Sequence, residues 1–168
     1  SAKKYWNDGT EVAGEQFGHT FDSIGNRTSA TVNGRSASYM ANSLNQYTQR
    51  DIPGAVDILG SATMDSTVTV NNQPTTRKNE SFYKELNVDN SASAVYQSID
   101  IVGVKNNVGP NGEDAVMEEK GNIFLPQTPE AFIYDADGNL TSDGRWNYSW
   151  DAENRLIGME SVASVPAG

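Results

Sequence analysis

Polar and apolar residues alternate with a period of two in several segments of the chain. The alternation is clearest in residues 67–70, 82–88, 95–104 and 146–150, and it is typical of strands with one buried face. Pairs such as Asn33-Gly34, Asn111-Gly112 and Asp143-Gly144 separate such segments and tolerate the positive φ of hairpin turns. The pattern therefore predicts an all-β fold of antiparallel strands in a β-sandwich. We expect a helical turn only in residues 37–46.

One short motif recurs along the chain. Residues 21–28 (Phe-Asp-Ser-Ile-Gly-Asn-Arg-Thr) align without gaps with residues 134–141 (Tyr-Asp-Ala-Asp-Gly-Asn-Leu-Thr). A third copy begins at Trp150, and residues 39–47 form a degraded fourth. In each copy we expect an aromatic residue to end a strand, Asp to accept backbone N–H groups, and Gly or Asn to take the positive φ. Each copy is then a strand-turn-strand unit that has to stack on its neighbours.

The segments 134–146 and 150–156 closely resemble the YD repeats of bacterial Rhs (rearrangement hot spot) proteins, and residues 21–27 look like another member. The resemblance covers roughly residues 15–50 and 130–160. It implies repeats of the kind that build a long spiralling β-sheet shell, which encloses a C-terminal toxin or mediates surface contacts and is generally not a catalyst. We expect two departures from the family, because about four repeats are too few to close a shell and no self-cleavage or toxin segment follows.

Between residues 51 and 129 the motif stops, and strand-like segments at 67–74, 82–86, 96–104 and 122–126 replace it. This stretch resembles the small immunoglobulin-like β-sandwich modules of bacterial surface proteins. We therefore expect N-terminal YD-like hairpins in residues 1–50, a β-sandwich insert in 51–129 and C-terminal YD repeats in 130–168, together forming one compact unit. The flanking repeats would then meet in space, with the insert emerging between adjacent strands.

Composition narrows the possible functions. The 168 residues include no Cys and one His, and the net charge is −10. These counts exclude a disulfide framework and a thiolate zinc site, and they leave little material for a Ser-His-Asp triad. An acidic chain is repelled by phosphate, so we expect no nucleic-acid partner. No apolar run approaches the roughly 20 residues of a spanning helix, so we expect no membrane insertion, and the acidic surface favours a monomer.

The first residues, Ser-Ala-Lys-Lys-Tyr-Trp-Asn-Asp-Gly, lead into a turn rather than the apolar core of a signal peptide. We therefore expect the chain to be a piece of a larger bacterial polypeptide, whose other parts are its main partners. Together with the Rhs resemblance, this places it at the cell surface or outside the cell.

Three aromatic residues share one face of the predicted strand 146–150, namely Trp146, Tyr148 and Trp150. As an exposed row they would form a platform on which sugar rings stack, as in carbohydrate-binding modules, and Tyr83 and Tyr96 of the insert are further stacking candidates. The alternative is that the three rings form the buried face of the repeat sheet. Their exposure separates the two interpretations.

Other candidate chemistry is sparse. Asp135, Asp137 and Asn139 are spaced like the first three ligands of a calcium loop, although the later positions do not match, and an Asp-Gly turn explains the same residues. Acidic pairs at 57/65, 113/114 and 118/119 contain the residue types of a glycosidase, but no pattern places two of them across a cleft. We therefore predict no catalytic residue, no enzymatic activity and no cofactor beyond this calcium candidate.

Together these features favour a non-catalytic structural or adhesive β-module from a larger bacterial surface or secreted Rhs-type protein. The alternative is a carbohydrate-binding module that stacks a polysaccharide on aromatic side chains.

Overall fold

The computed structural model describes residues 1–162 of the chain, and within this range it contains strands and turns but no helix. The strand pairs are antiparallel. The predicted all-β, antiparallel fold is therefore confirmed. The 17 strands are β1 (Ala2–Tyr5), β2 (Glu11–Phe21), β3 (Arg27–Val32), β4 (Arg35–Ala41), β5 (Tyr47–Arg50), β6 (Ala55–Ser61), β7 (Thr67–Val70), β8 (Gln73–Pro74), β9 (Thr76–Lys78), β10 (Ser81–Asn87), β11 (Val95–Lys105), β12 (Ala115–Leu125), β13 (Glu130–Ala131), β14 (Ile133–Tyr134), β15 (Leu140–Ser142), β16 (Trp146–Trp150) and β17 (Leu156–Ser161).

The chain divides into two compact units. The first comprises residues 1–54, 89–96 and the part that starts at Phe124. Its sheets have the strand orders β1-β2-β3-β4-β5-β13 and β14-β15-β16-β17. Only Phe132 separates β13 from β14, and its backbone N–H donates to the carbonyl of Thr48 at 3.0 Å. One short segment of chain therefore belongs to both sheets.

The hairpins of this unit place their turns alternately at two ends of the strands. Because every second turn falls at the same end of an antiparallel meander, turns 22–26, 42–46, 135–139 and 151–155 share one end. The turn at 33–34 and the chain between β5 and β13 lie at the other end. At that end the chain departs to form the second unit.

The prediction of a helical turn in residues 37–46 is wrong. Residues 35–41 form β4, and the following residues form a tight turn in which Asn45 has a φ of 62°. Ala37 is buried directly opposite Ala30 of β3, so strand pairing and burial override the helix preference of alanine.

The second unit comprises residues 55–88 and 97–123. Its sheets have the orders β6-β10-β9 and β12-β11-β7-β8. The core joins Val68, Val70 and Ile99 of one sheet to Phe82 and Leu86 of the other. Two sheets that pack face to face over such a core form a β-sandwich.

The first unit has a thin apolar core and relies on buried polar groups. Asn90 is only 2% exposed, and its Nδ2 donates to the carbonyls of Ile52 at 3.2 Å and Pro126 at 2.7 Å. Its own carbonyl accepts the N–H of Thr128 at 3.0 Å. Asn90 therefore connects three separate segments of the first unit and satisfies backbone groups of Ile52, Pro126 and Thr128.

Substitution of Gly138 tests whether the repeated turns require a positive φ at their fourth residue. Its φ is +90°, whereas Asn45 and Asn154 fill the corresponding position of other turns with φ near +60°. We expect Gly138→Val to lower the free energy of unfolding by about 1 to 2 kcal/mol, because a branched side chain is strained at positive φ. Gly138→Asn should cost much less. Urea denaturation of both variants checks this, and equal losses would contradict the assigned turn geometry.

Candidate functional site

Four turns share one hydrogen-bonding pattern. In each, Oδ1 of the first residue accepts the backbone N–H groups of the third and fifth residues at 2.8–3.0 Å. The fourth residue has a positive φ in every case. The first residues are Asp22, Asn42, Asp135 and Asp151, and the fourth residues are Gly25, Asn45, Gly138 and Asn154. The predicted roles of Asp and of Gly or Asn in the repeated motif are therefore confirmed.

Side-chain amides connect these turns to one another. Nδ2 of Asn26 donates to Oδ1 of Asn45 at 3.1 Å, and Nδ2 of Asn139 donates to Oδ1 of Asn154 at 2.8 Å. Between them, Nε2 of Gln46 donates to the carbonyl of Gly138 at 3.3 Å. In each case the fifth residue of one turn donates to the fourth residue of the next. We call this array of residues 22–26, 42–46, 135–139 and 151–155 the turn ladder.

A threonine completes the unit in three of the four copies. Oγ1 of Thr141 donates to the carbonyl of Ile133 at 3.1 Å, and Oγ1 of Thr48 donates to that of Met40 at 3.4 Å. Thr28 instead bonds the hydroxyl of Thr20 at 2.8 Å. The recurring Thr of the sequence motif therefore bonds across the hairpin behind the turn in these three copies.

The sequence motif missed a related turn at residues 6–10. There the N–H of Trp6 donates to the carbonyl of Thr10 at 2.8 Å, and Gly9 has a φ of +81°. Trp6 stands where the other turns have Asp or Asn, so no side-chain oxygen marks the first position. Asp8 substitutes in part, because its Oδ1 accepts the N–H of Thr10 at 3.0 Å.

The turn carboxylates are stabilised in their charged form. Hydrogen bonds from the side chain and backbone of Asn139 lower the pKa of Asp135, and bonds from Arg155 lower that of Asp151. At Asp22, desolvation raises the pKa, but the bonds from Asn26 and the turn backbone outweigh it, so that the pKa is lowered overall. The turns are therefore most stable with these groups ionised.

A buried ion pair joins the two strands that flank the second unit in sequence. Nε of Arg50 in β5 contacts Oε2 of Glu130 in β13, and the two residues lie directly opposite each other. The Glu130 side chain is only 4% exposed and that of Arg50 is 35% exposed. Burial disfavours the charge on Arg50, but the hydrogen bond and charge of Glu130, together with the interaction with Tyr39, outweigh burial and raise the pKa of Arg50. Gly144 packs against Glu130, since a Cβ there would lie 2.8 Å from Cγ. We call Arg50 and Glu130 the junction pair.

The three aromatics of β16 lie on one face of the strand, as predicted, and all three are half-buried, whereas Asn147 and Ser149 between them are exposed. We call Trp146, Tyr148 and Trp150 the aromatic row. Nε1 of Trp150 donates to the carbonyl of Leu140 at 2.7 Å.

Further contacts hold the other two rings of the row. The hydroxyl of Tyr148 donates to Oδ2 of Asp143 at 2.7 Å, and desolvation together with that bond raises the pKa of Tyr148 to about 12. The guanidinium carbon of Arg145 lies 5.1 Å from the centre of the Trp146 ring and 4.8 Å from that of Phe124. These contacts orient the row within the sheet.

The remaining stacking candidates do not extend the aromatic row along β16. Tyr83 is half-buried in β10 of the second unit, and its hydroxyl donates to Oδ1 of Asp57 at 2.8 Å. Tyr96 is half-buried in the part of β11 that belongs to the first unit. Whether any of these five aromatics binds a ligand stays a prediction.

The calcium candidate consists of turn-ladder residues. Oδ1 of Asp135 accepts the N–H groups of Asp137 and Asn139, and its Oδ2 accepts Nδ2 of Asn139 at 3.1 Å. Within residues 1–162, no three acidic or histidine side chains are grouped as metal ligands. The turn thus gives the Asp135 carboxylate a structural role, and calcium binding stays untested.

The acidic pairs mostly have local partners. Asp57 accepts Tyr83, and Asp65 pairs with Lys105 at 3.1 Å. Glu113 and Asp114 accept bonds from Asn111 and Asn107, and Glu118 pairs with Lys120 at 2.8 Å. These hydrogen bonds and ion pairs give the carboxylates structural partners within loops and strands.

Comparison with protein families, with characterised proteins and with solved structures finds no match to this chain. In the described residues, no helix has the length and apolar character needed to cross a membrane.

The junction pair generates a stability prediction. We expect Glu130→Ala to lower the free energy of unfolding by about 3 kcal/mol, because it leaves Arg50 partly buried without its counterion. Replacing both residues, as Arg50→Met with Glu130→Leu, should recover most of the loss. Chemical denaturation measures both changes. The exposed pair Lys3–Glu11, at 3.7 Å, is the control, and Lys3→Ala should change stability by less than about 1 kcal/mol.

The turn carboxylates generate a pH prediction. Because folding lowers the pKa of Asp135, its stabilising effect is complete above about pH 4 and is lost as the pH falls through the folded-state pKa. Asp135→Asn keeps an oxygen for the backbone N–H groups, as Asn42 does naturally, but it cannot be protonated. Urea midpoints at pH 7 and pH 3 should therefore differ less in this variant than in the wild type. An unchanged difference would contradict the role of this carboxylate.

Proposed function

We propose that the chain is a non-catalytic structural β-module of a larger bacterial surface or secreted protein of the Rhs type. The observation that carries the proposal is the turn ladder, in which the fifth residue of each of three turns donates a side-chain amide to the fourth residue of the next turn. Such nearest-neighbour contacts are characteristic of repeat proteins, whose units are stable only when they are stacked.

Two further features support a scaffolding role. The meander begins at β1 and ends at β17, and in the described residues each of these strands has a neighbour on one side only. Further strand-turn-strand units of a longer polypeptide can therefore add at either edge. The connection between β5 and β13 contains the complete second unit, so the first unit also carries an inserted module in its sequence.

The aromatic row fits this role because two of its three residues bond their polar atoms to neighbouring protein groups. The indole N–H of Trp150 and the hydroxyl of Tyr148 both have protein acceptors. In a sugar platform, we would expect these groups to face the ligand. The incomplete burial of the three rings nevertheless favours polysaccharide stacking as the second candidate function.

A single experiment separates the two functions. Wild type, Trp146→Ala and Trp150→Ala are screened on a glycan array of plant, algal and microbial polysaccharides, and their unfolding is measured in urea. On the structural proposal we expect no glycan binding, and Trp150→Ala should lose about 3 kcal/mol of stability because it removes a packed ring and its hydrogen bond. Tyr5→Ala is the control, since Tyr5 is 51% exposed at the edge strand β1 and should change stability little.

Binding that disappears in stable, folded Trp146→Ala and Trp150→Ala proteins would overturn the structural proposal and establish a carbohydrate-binding module.

A further inference from the structure

The second unit contains an apolar groove between β6, an edge strand of one sheet, and β12, an edge strand of the other. The groove has a volume of about 550 Å³ and is lined by residues of this unit alone. Its floor includes the core residues Val68 and Phe82 together with Ile101. This volume and apolar lining are typical of binding sites rather than of packing defects.

The two sheets of the sandwich have unequal numbers of strands beside the groove. The sheet that contains β6 has three strands, and the sheet that contains β12 has four. All nine residues from Ala115 to Ile123 of β12 are exposed, including Val116 at 65% and Met117 at 71%. A fourth strand added beside β6 would cover this apolar surface and equalise the sheets. The groove therefore lies where a further strand of the three-stranded sheet would lie.

Both borders of the groove are suited to backbone pairing. In the part of the chain that the structure describes, β6 pairs only with β10, and β12 pairs only with β11. Each edge strand therefore presents backbone donors and acceptors to an incoming chain. At Gly103 a Cβ would meet nothing nearer than the carbonyl of Met117 at 4.0 Å, so this glycine leaves room for side chains of an occupant.

The charges at the groove define the occupant further. Lys105 pairs with Asp65 at 3.1 Å, and Lys120 pairs with Glu118 at 2.8 Å, so both neighbouring lysines are neutralised. Glu119 lines the groove and has no ion pair within the described residues. An occupant with a positive charge opposite Glu119 complements this surface.

We infer that the groove binds an extended segment of a partner protein as an added β-strand, with apolar side chains at alternate positions and a basic residue facing Glu119. The backbone of the segment pairs with the edge of β6, and its apolar side chains cover Met117 and Ile101. The inference concerns the second unit and does not depend on the function proposed for the repeat sheet.

Titration of the whole isotopically labelled chain with a synthetic peptide, followed by NMR, tests this inference. The probe is an eight-residue capped peptide with valine at alternate positions, threonine between them and one central lysine. We expect saturable chemical-shift changes in β6, β11 and β12.

Variants of the groove test the binding site. Gly103→Leu, which fills the groove, should weaken binding at least about tenfold, and Met117→Asp, at an exposed site, should do the same without risk to folding. Glu119→Lys should weaken binding by about two- to fivefold, whereas the control Glu80→Lys, with the same change in charge, should not.

Several results would overturn the inference. One is the absence of shifts up to about 1 mM peptide. Another is equal binding of a scrambled peptide in which the valines are consecutive, because alternation is what an added strand requires. A third is binding that Gly103→Leu and Met117→Asp leave unchanged. Shifts at these strands that depend on protein concentration without peptide would assign the groove to a second copy of the chain instead.

Discussion

The first unit depends on the pairing of β5 with β13, two strands that are separated in sequence by the complete second unit. The two residues of the junction pair are 80 positions apart in sequence and form one of the two residue pairs that join β5 to β13. Loop closure over such a length costs conformational entropy, which local turn chemistry cannot offset. A buried carboxylate with one guanidinium partner, together with Asn90 on the crossing segments, provides the specific contacts that fix this register.

The first unit buries few large apolar side chains, so the hydrogen bonds of the turn ladder are important for its order. Its buried apolar residues include Val12, Ala30 and Ala37, which remove little surface from water. Hydrogen bonds within each turn satisfy its backbone groups, and side-chain amides bond one turn to the next. These bonds order the hairpins where apolar packing is sparse. The sandwich of the second unit shows the opposite balance, with Val70 fully buried between two sheets.

Local chemistry explains which parts of this structure the sequence could predict. The period-two alternation placed β7 and β16, and the Asp-to-Asn spacing anticipated turn geometry, because both depend on residues a few positions apart. The degraded fourth repeat is recognisable in residues 39–47, although a helical turn is also expected in residues 37–46, and the pairing of β4 with β3 decides against the helix. The junction pair and the groove beside β12 leave no local signal, since each arises from strands distant in sequence.

The two ends of the repeat sheet differ in their tolerance of change. At one end the turn ladder binds each hairpin to the next, so lengthening a turn there would break contacts on both sides. At the other end the chain already departs and returns through the second unit, while the meander of β1 to β5 stays intact. That end is therefore a natural acceptor for foreign domains, both for evolution by gene insertion and for protein engineering. A cargo placed between β5 and β13 needs only ends that meet at the spacing of two neighbouring strands.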